Sequence, residues 1–180
     1  MKVVPTAFKD LLILEPKVIG DSRGYFMESY NRKTLSGLGI NINFVQDNQS
    51  SSSKGVLRGL HFQRAPYAQT KLVRVLSGKV FDVVVDLRRS EPTFGKSLAI
   101  ELSAENKKQV LVPKGFAHGF IVLSDTAEVF YKCDEYYNRD ADGGIHYSSA
   151  DVEWKIFADE FILSDKDKSL PRLQEANFQF

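Results

Sequence analysis

What most restricts the fold of this chain is its rhythm: short runs of strand character recur along nearly its whole length, with turn residues between them. Residues 18–19 lead into the turn Gly20-Asp-Ser-Arg-Gly24, and residues 25–30 follow. Residues 44–49, 56–63, 71–76, 79–87, 98–102, 109–112, 116–123 and 128–133 all read as strands. One clear helix signal interrupts them, over 32–38, with Asn31 as its cap and Gly37 or Gly39 closing it. Ser77-Gly78 reads as a two-residue hairpin turn, Pro92-Thr-Phe-Gly95 as a second turn, and Ser50–Ser53 with Lys54-Gly55 as a polar loop. Evenly spaced short strands predict an all-β sandwich or barrel with one or two short helices. In 79–87, Phe81, Val83, Val85 and Leu87 alternate with Val80, Asp82, Val84 and Asp86. One face is wholly apolar and the other mixed, which suits a sheet lining a ligand cavity or a second sheet. With no repeat and no linker, residues 1–180 read as a single domain.

Bulk properties narrow the partners. Net charge is +1, so no strong field draws the chain to nucleic acid or an anionic membrane. Cys133 is the one cysteine, which rules out an internal disulfide and a cysteine-rich zinc site. The N-terminus lacks the apolar core of a signal peptide, and no run nears the roughly 20 apolar residues of a membrane helix. The expectation is a soluble, cytoplasmic protein.

Several constellations could carry chemistry. In Arg58-Gly-Leu-His61-Phe-Gln63, a strand histidine next to an arginine suits a general base beside an anion site, or simply a hydrogen-bonded structural histidine. Arg58 and His61 are three positions apart, so a regular strand sends them to opposite faces. Gly59 could host a bulge that re-aims one of them, or Arg58 could reach round from the strand end. Pro113-x-Gly115-x-x-His118 after an apolar strand resembles the second cupin motif, whose histidine is a metal ligand in metal cupins. Here Gln63 stands where a His-x-His pair would end, and His146 has no ligand-like neighbours, so no metal is expected. The plain alternative for His118 is a turn histidine bonded to backbone. Tyr131 shares a strand face with Val129 and Cys133 and, taken alone, reads as core, as does Cys133 itself. The polar run 163–171 is either a solvated loop or the carrier of a carboxylate, Asp167, to a histidine. Arg23, Phe26 and Glu28 could grip a phosphate, a base ring and a base edge, or merely lead a loop into a strand. Gln46 and Asn48 present amides on alternate positions.

Taken together, in order and spacing, these segments resemble the dTDP-4-dehydrorhamnose 3,5-epimerase family. The matching stretches include Asp21-x-Arg23-Gly-x-Phe-x-Glu28, Phe44-Val-Gln-Asp-Asn48, Val56-Leu-Arg-Gly-Leu-His-Phe-Gln63, Lys71-Leu-Val-Arg74, Val112-Pro-x-Gly-Phe-Ala-His-Gly-Phe120, Tyr131-Lys132 and Leu163-Ser-x-Lys-Asp167. The resemblance implies a double-stranded β-helix, the cupin jelly roll, working as a homodimer in which the neighbouring subunit supplies part of the nucleotide site. It implies His61 as base, Asp167 as its carboxylate partner, Tyr131 as acid on the opposite face of the sugar, and Lys71 as cation near the ketone with His118 close by. It implies Arg23, Glu28, Gln46, Asn48, Arg58 and Lys166 as substrate contacts, with Phe26 and Tyr137 as stacking partners for thymine. After Tyr137 the pattern departs: where a glutamate belongs, Asp142 stands in with a shorter reach.

The implied substrate is a dTDP-linked 4-keto-6-deoxy sugar. Hydrogens at C3 and C5 flank its ketone, so removing either gives an enolate and no redox cofactor is needed. A neutral imidazole, with a reference pKa of about 6.5, suits the base; a cation must face O4; an acid must reprotonate from the other side. Rival readings are an epimerase acting at one carbon only or on another deoxysugar nucleotide, a metal-dependent cupin, and a non-catalytic sugar-nucleotide-binding cupin.

Overall fold

The computed structural model describes residues 1–154 and 160–180. In chain order its strands are β1 (Lys2–Pro5), β2 (Leu12–Glu15), β3 (Val18–Asp21), β4 (Gly24–Met27), β5 (Gln46–Ser53), β6 (Leu57–Gln63), β7 (Lys71–Ser77), β8 (Lys79–Asp86), β9 (Ser97–Ser103), β10 (Gln109–Val112), β11 (Phe116–Val122), β12 (Thr126–Cys133) and β13 (Asp142–Gly144). Among the described residues lie two short helices, α1 (Arg32–Gly37) and α2 (Asp165–Lys168), and a 3-10 turn at Tyr147–Ser149. The strands form two antiparallel sheets, ordered β1-β2-β10-β7-β12-β5 and β13-β6-β11-β8-β9, and β3 and β4 form a separate hairpin. The sheets pack face to face as a jelly roll, the fold that the resemblance implies.

Alternation explains the packing. Val73 and Val75 of β7, Ala127 and Val129 of β12, and Val110 and Val112 of β10 meet Val80 and Val84 of β8 and Phe116, Phe120 and Val122 of β11 in the core between the sheets. The opposite face of β8, with Val83 and Val85, packs against Leu57, Leu60, Trp154 and Phe178. A third cluster, Leu14, Leu35, Ile40, Leu72 and Leu111, lays α1 on the outside of the six-stranded sheet. The Asn31 carboxamide oxygen caps α1 by accepting from the Lys33 and Thr34 amides at 2.9 and 3.2 Å. The helix ends at Gly37, and Gly39 turns the chain away with φ +84.

Two local expectations are overturned. Ser50–Ser53 are not a loop but half of β5, paired residue by residue with Thr126–Val129 of β12. This is an edge strand, so it needs a partner ladder but no apolar side chains, and composition alone hides it. Ser77-Gly78 does not close a hairpin, because β7 and β8 lie in different sheets. Gly78 (φ +74) instead carries the chain across the sandwich where a Cβ would lie 2.1 Å from the Thr126 carbonyl oxygen.

Candidate active site

Along each inward-facing row of side chains, the apolar sequence is broken by one polar residue, and these breaks fall together. Tyr131 follows Ala127 and Val129 on β12; Lys71 precedes Val73 on β7; His118 lies between Phe116 and Phe120 on β11; Asp82 lies between Val80 and Val84 on β8. The result is a cavity of about 520 Å³ lined by Arg58, His61, Lys71, His118, Tyr131, Lys166 and Asp167, among others. One sheet supplies His61 and His118 and the other Lys71 and Tyr131, so the imidazoles confront the phenol and the ammonium.

The parity problem at Arg58 and His61 is resolved at Gly59. His118 pairs with His61 and Phe120 with Arg58, so three steps on β6 oppose two on β11, which is a bulge. Gly59 has φ +117, and a Cβ there would lie 2.6 Å from the Gly119 Cα. The extra residue puts Arg58 and His61 on the same side of the strand.

Nε2 of His61 lies 2.6 Å from Oδ1 of Asp167, which α2 delivers with Ser164 as its N-cap. Burial alone would raise the Asp167 carboxyl, but the His61 hydrogen bond and charge, with further hydrogen bonds at Ser164 and the Gly59 amide, hold it below the usual carboxylate value. The polar run 163–171 is therefore no mere solvated loop. In the neutral form of the His61 ring, an ionised Asp167 favours the tautomer with its proton on Nε2, which leaves the lone pair on Nδ1. Burial raises the Tyr131 phenol, and the Cys133 thiol adds to this against the pull of Arg58, so the proton stays on. Burial lowers the Lys71 ammonium, opposed by Cys133, Asp82 and Asp142, and its Nζ lies 5.9 Å from the Tyr131 ring centre. Cys133 is fully buried and its thiol is pushed up to about 11, so it is packing rather than a nucleophile.

His118 is a strand residue, not a turn residue, and its Nε2 lies 2.8 Å from Oδ2 of Asp82 rather than bonding backbone. Asp82 is the partner that the motif reading missed, although its place on the mixed face of β8 was the available signal. Gln63, in the position of a second cupin histidine, is buried and ties loops together, donating to the Tyr67 and Tyr136 carbonyls and accepting from the Asn138 amide. Among the described residues, no three His, Cys, Asp or Glu side chains converge as a metal-ligand set.

The remaining candidates divide by place. Gln46 and Asn48 share the inward face of β5 with Ser50 and bond each other at 3.0 Å. Gln46 also accepts from the Tyr137 amide, and Asp142 accepts from the Tyr137 hydroxyl and from Lys166, so hydrogen bonds link these residues to Lys166 on the cavity wall. Arg23 and Phe26 do not join them. They sit on the β3–β4 hairpin around a separate depression, with Phe26 70% exposed, and Glu28 is taken up by Asn31 and Thr34 at the start of α1.

A cupin jelly roll that opposes a carboxylate-paired imidazole and a protonated phenol across one cavity defines a proton-transfer enzyme of the isomerase class. A sequence model described as dTDP-4-dehydrorhamnose 3,5-epimerase matches residues 5–175. A dTDP-4-dehydrorhamnose 3,5-epimerase of Shigella flexneri is 52% identical, covering 99% of each chain. The crystal structure of one from Elizabethkingia anophelis is 53% identical with a TM-score of 0.91, covering 97% of each chain. A dTDP-6-deoxy-D-glucose-3,5-epimerase of Legionella pneumophila, solved in complex with dTDP-4-keto-L-rhamnose, is 45% identical with a TM-score of 0.93, covering 99% of this chain and 98% of that one. The chain belongs to the dTDP-4-dehydrorhamnose 3,5-epimerase family. Among the described residues, no helix is long and apolar enough to cross a membrane.

Proposed function

We propose that this chain converts dTDP-4-dehydro-6-deoxy-D-glucose to dTDP-4-dehydro-L-rhamnose by inverting C3 and C5, acting in the cytoplasm as a homodimer. The observation that carries the reading is the pair of rings, His61 and Tyr131, facing each other from opposite sheets across one cavity. His61, oriented by Asp167, takes the proton from carbon through Nδ1. The electrons move into the ketone and O4 becomes an enolate oxygen. Lys71 meets that charge from a half-buried position on the cavity wall, where a cation stabilises it more than it would in free solution. Tyr131 returns a proton to the opposite side, since return from the same side would give back the starting sugar. His118, fixed by Asp82, stands beside the ketone as a second polar group. Arg58, braced by a 2.9 Å hydrogen bond to the Ser52 hydroxyl, faces the mouth where a diphosphate would lie. Gln46, Asn48, Tyr137, Asp142 and Lys166 border the path of the nucleotide.

The test is incubation with dTDP-4-keto-6-deoxyglucose in D₂O, read by NMR. Deuterium should enter at both C3 and C5. His61→Ala should abolish both labels, with each acid–base group worth about 10²–10⁴-fold. Tyr131→Phe should block inversion. Label at one carbon alone would replace this reading with a single-site epimerase, and normal turnover in a folded His61→Ala protein would remove the base.

A further inference from the structure

One carboxylate oxygen at the mouth serves three segments at once. Oδ2 of Asp142 accepts from the Tyr137 hydroxyl at 3.2 Å and from the Lys166 ammonium. Tyr137 is in the loop after β12, Asp142 opens β13, and Lys166 is on α2, one residue before Asp167. The carboxylate is in a fixed place, because β13 is paired to the strand that bears the base, Asp142 with Gln63 and Gly144 with His61. The Tyr137 ring is not held by packing, being 57% exposed. It is tied instead at both ends, by its amide to Gln46 at 2.9 Å and by its hydroxyl to Asp142. An exposed aromatic face tied in this way is a ready platform for a planar ligand, since the ordering is complete before binding. The Asp142 side chain is only 17% exposed, and its short stem keeps the carboxylate within the wall.

We propose that Asp142 is a positioning residue for nucleotide binding: it holds the Tyr137 ring and the Lys166 ammonium in place and does not itself touch the ligand. The inference rests on the sugar-nucleotide reading above. It assigns the departure of residues 138–143 from the family pattern a physical role, as an internal link in place of a ligand contact.

A mutant cycle read by dTDP affinity and by steady-state kinetics tests it. Tyr137→Phe removes only the hydroxyl and should weaken dTDP binding about 3- to 10-fold, the range of one hydrogen bond. Asp142→Ala should weaken binding at least as much, and adding Tyr137→Phe to it should change little, since both cut the same link. The losses should fall on KM more than on kcat. Asp142→Asn keeps an oxygen for the hydroxyl, so in that background Tyr137→Phe should again weaken binding. Losses that multiply in the Asp142→Ala, Tyr137→Phe protein would overturn the positioning role, as would wild-type affinity in Asp142→Ala. Failure of the unmutated protein to bind dTDP would instead bring down the underlying reading, and the inference with it.

Discussion

Asp167 shows how one residue joins stability to chemistry. It is 4% exposed, yet its carboxyl is held below the usual carboxylate value because His61, Ser164 and the Gly59 amide outweigh the effect of burial. A carboxyl depressed by folding adds stability in full above its unfolded pKa of about 3.9, and loses it as pH falls toward the folded value. Asp167→Asn should therefore unfold at lower urea than the unmutated protein near pH 7, with the gap shrinking below about pH 4 as the unfolded chain takes up a proton that the native carboxylate does not. A gap that stays the same at pH 3 and pH 7 would rule out the ionised pairing. Turnover should fall by about 10²-fold in the same variant, because an amide no longer fixes the Nε2–H tautomer or supports the imidazolium that forms after proton abstraction.

At the scale of elements, the β6 bulge brings Arg58 and His61 onto one wall of the cavity. Gly59 faces Gly119 so closely that a Cβ on Gly119 would lie 2.3 Å from the Arg58 carbonyl oxygen, and one on Gly59 would meet the Gly119 Cα and the His118 carbonyl. Those neighbours are backbone and have nowhere to go. With φ at +117 as well, Gly59→Ala should cost about 2–4 kcal/mol and turn Arg58 or His61 out of the cavity. Chemical denaturation together with the D₂O label assay checks this; a stable and fully active variant would mean that the bulge does not aim the base. Much of this was legible beforehand. Spacing at Arg58 and His61 called for a bulge at Gly59 or an arginine reaching round from the strand end, and the mixed face of β8 suited a cavity or a second sheet. Other features were not legible, for physical reasons. A serine-only edge strand such as Ser50–Ser53 takes its order from the backbone ladder of β12, which side-chain pattern does not report. Ser77-Gly78 has the same local chemistry whether it folds a strand back within a sheet or passes it to the other sheet, and only distant partners decide. The pairing of His118 with Asp82 spans 36 positions, beyond any local periodicity; that of His61 with Asp167 spans 106, and only the family resemblance pointed to it.

At the scale of the whole molecule, the residues that the resemblance assigns to the nucleotide fall in two separate places. The β3–β4 hairpin exposes Val18, Ile19, Tyr25 and Phe26 and carries Arg23, while the cavity with His61 lies elsewhere in the same chain. Four exposed apolar residues on one two-stranded hairpin are costly for an isolated subunit and natural in an interface. Lys107, with its Nζ 3.9 Å from the Tyr25 ring centre, steadies the hairpin against the body while leaving Phe26 free. If two subunits exchange hairpins, each cavity uses its own His61 and its neighbour's Arg23. His61→Ala and Arg23→Ala proteins should then each have little activity, and unfolding and refolding them together should restore some. In a random equal mixture half of the dimers are mixed, and each mixed dimer has one intact site of two, so roughly a quarter of the unmutated activity should return. Recovery at that level would require the hairpin to act on the neighbouring cavity. No recovery, with mixed dimers shown to form, would place Arg23 in the service of its own chain and remove the reason for the exposed hairpin to be an exchanged arm.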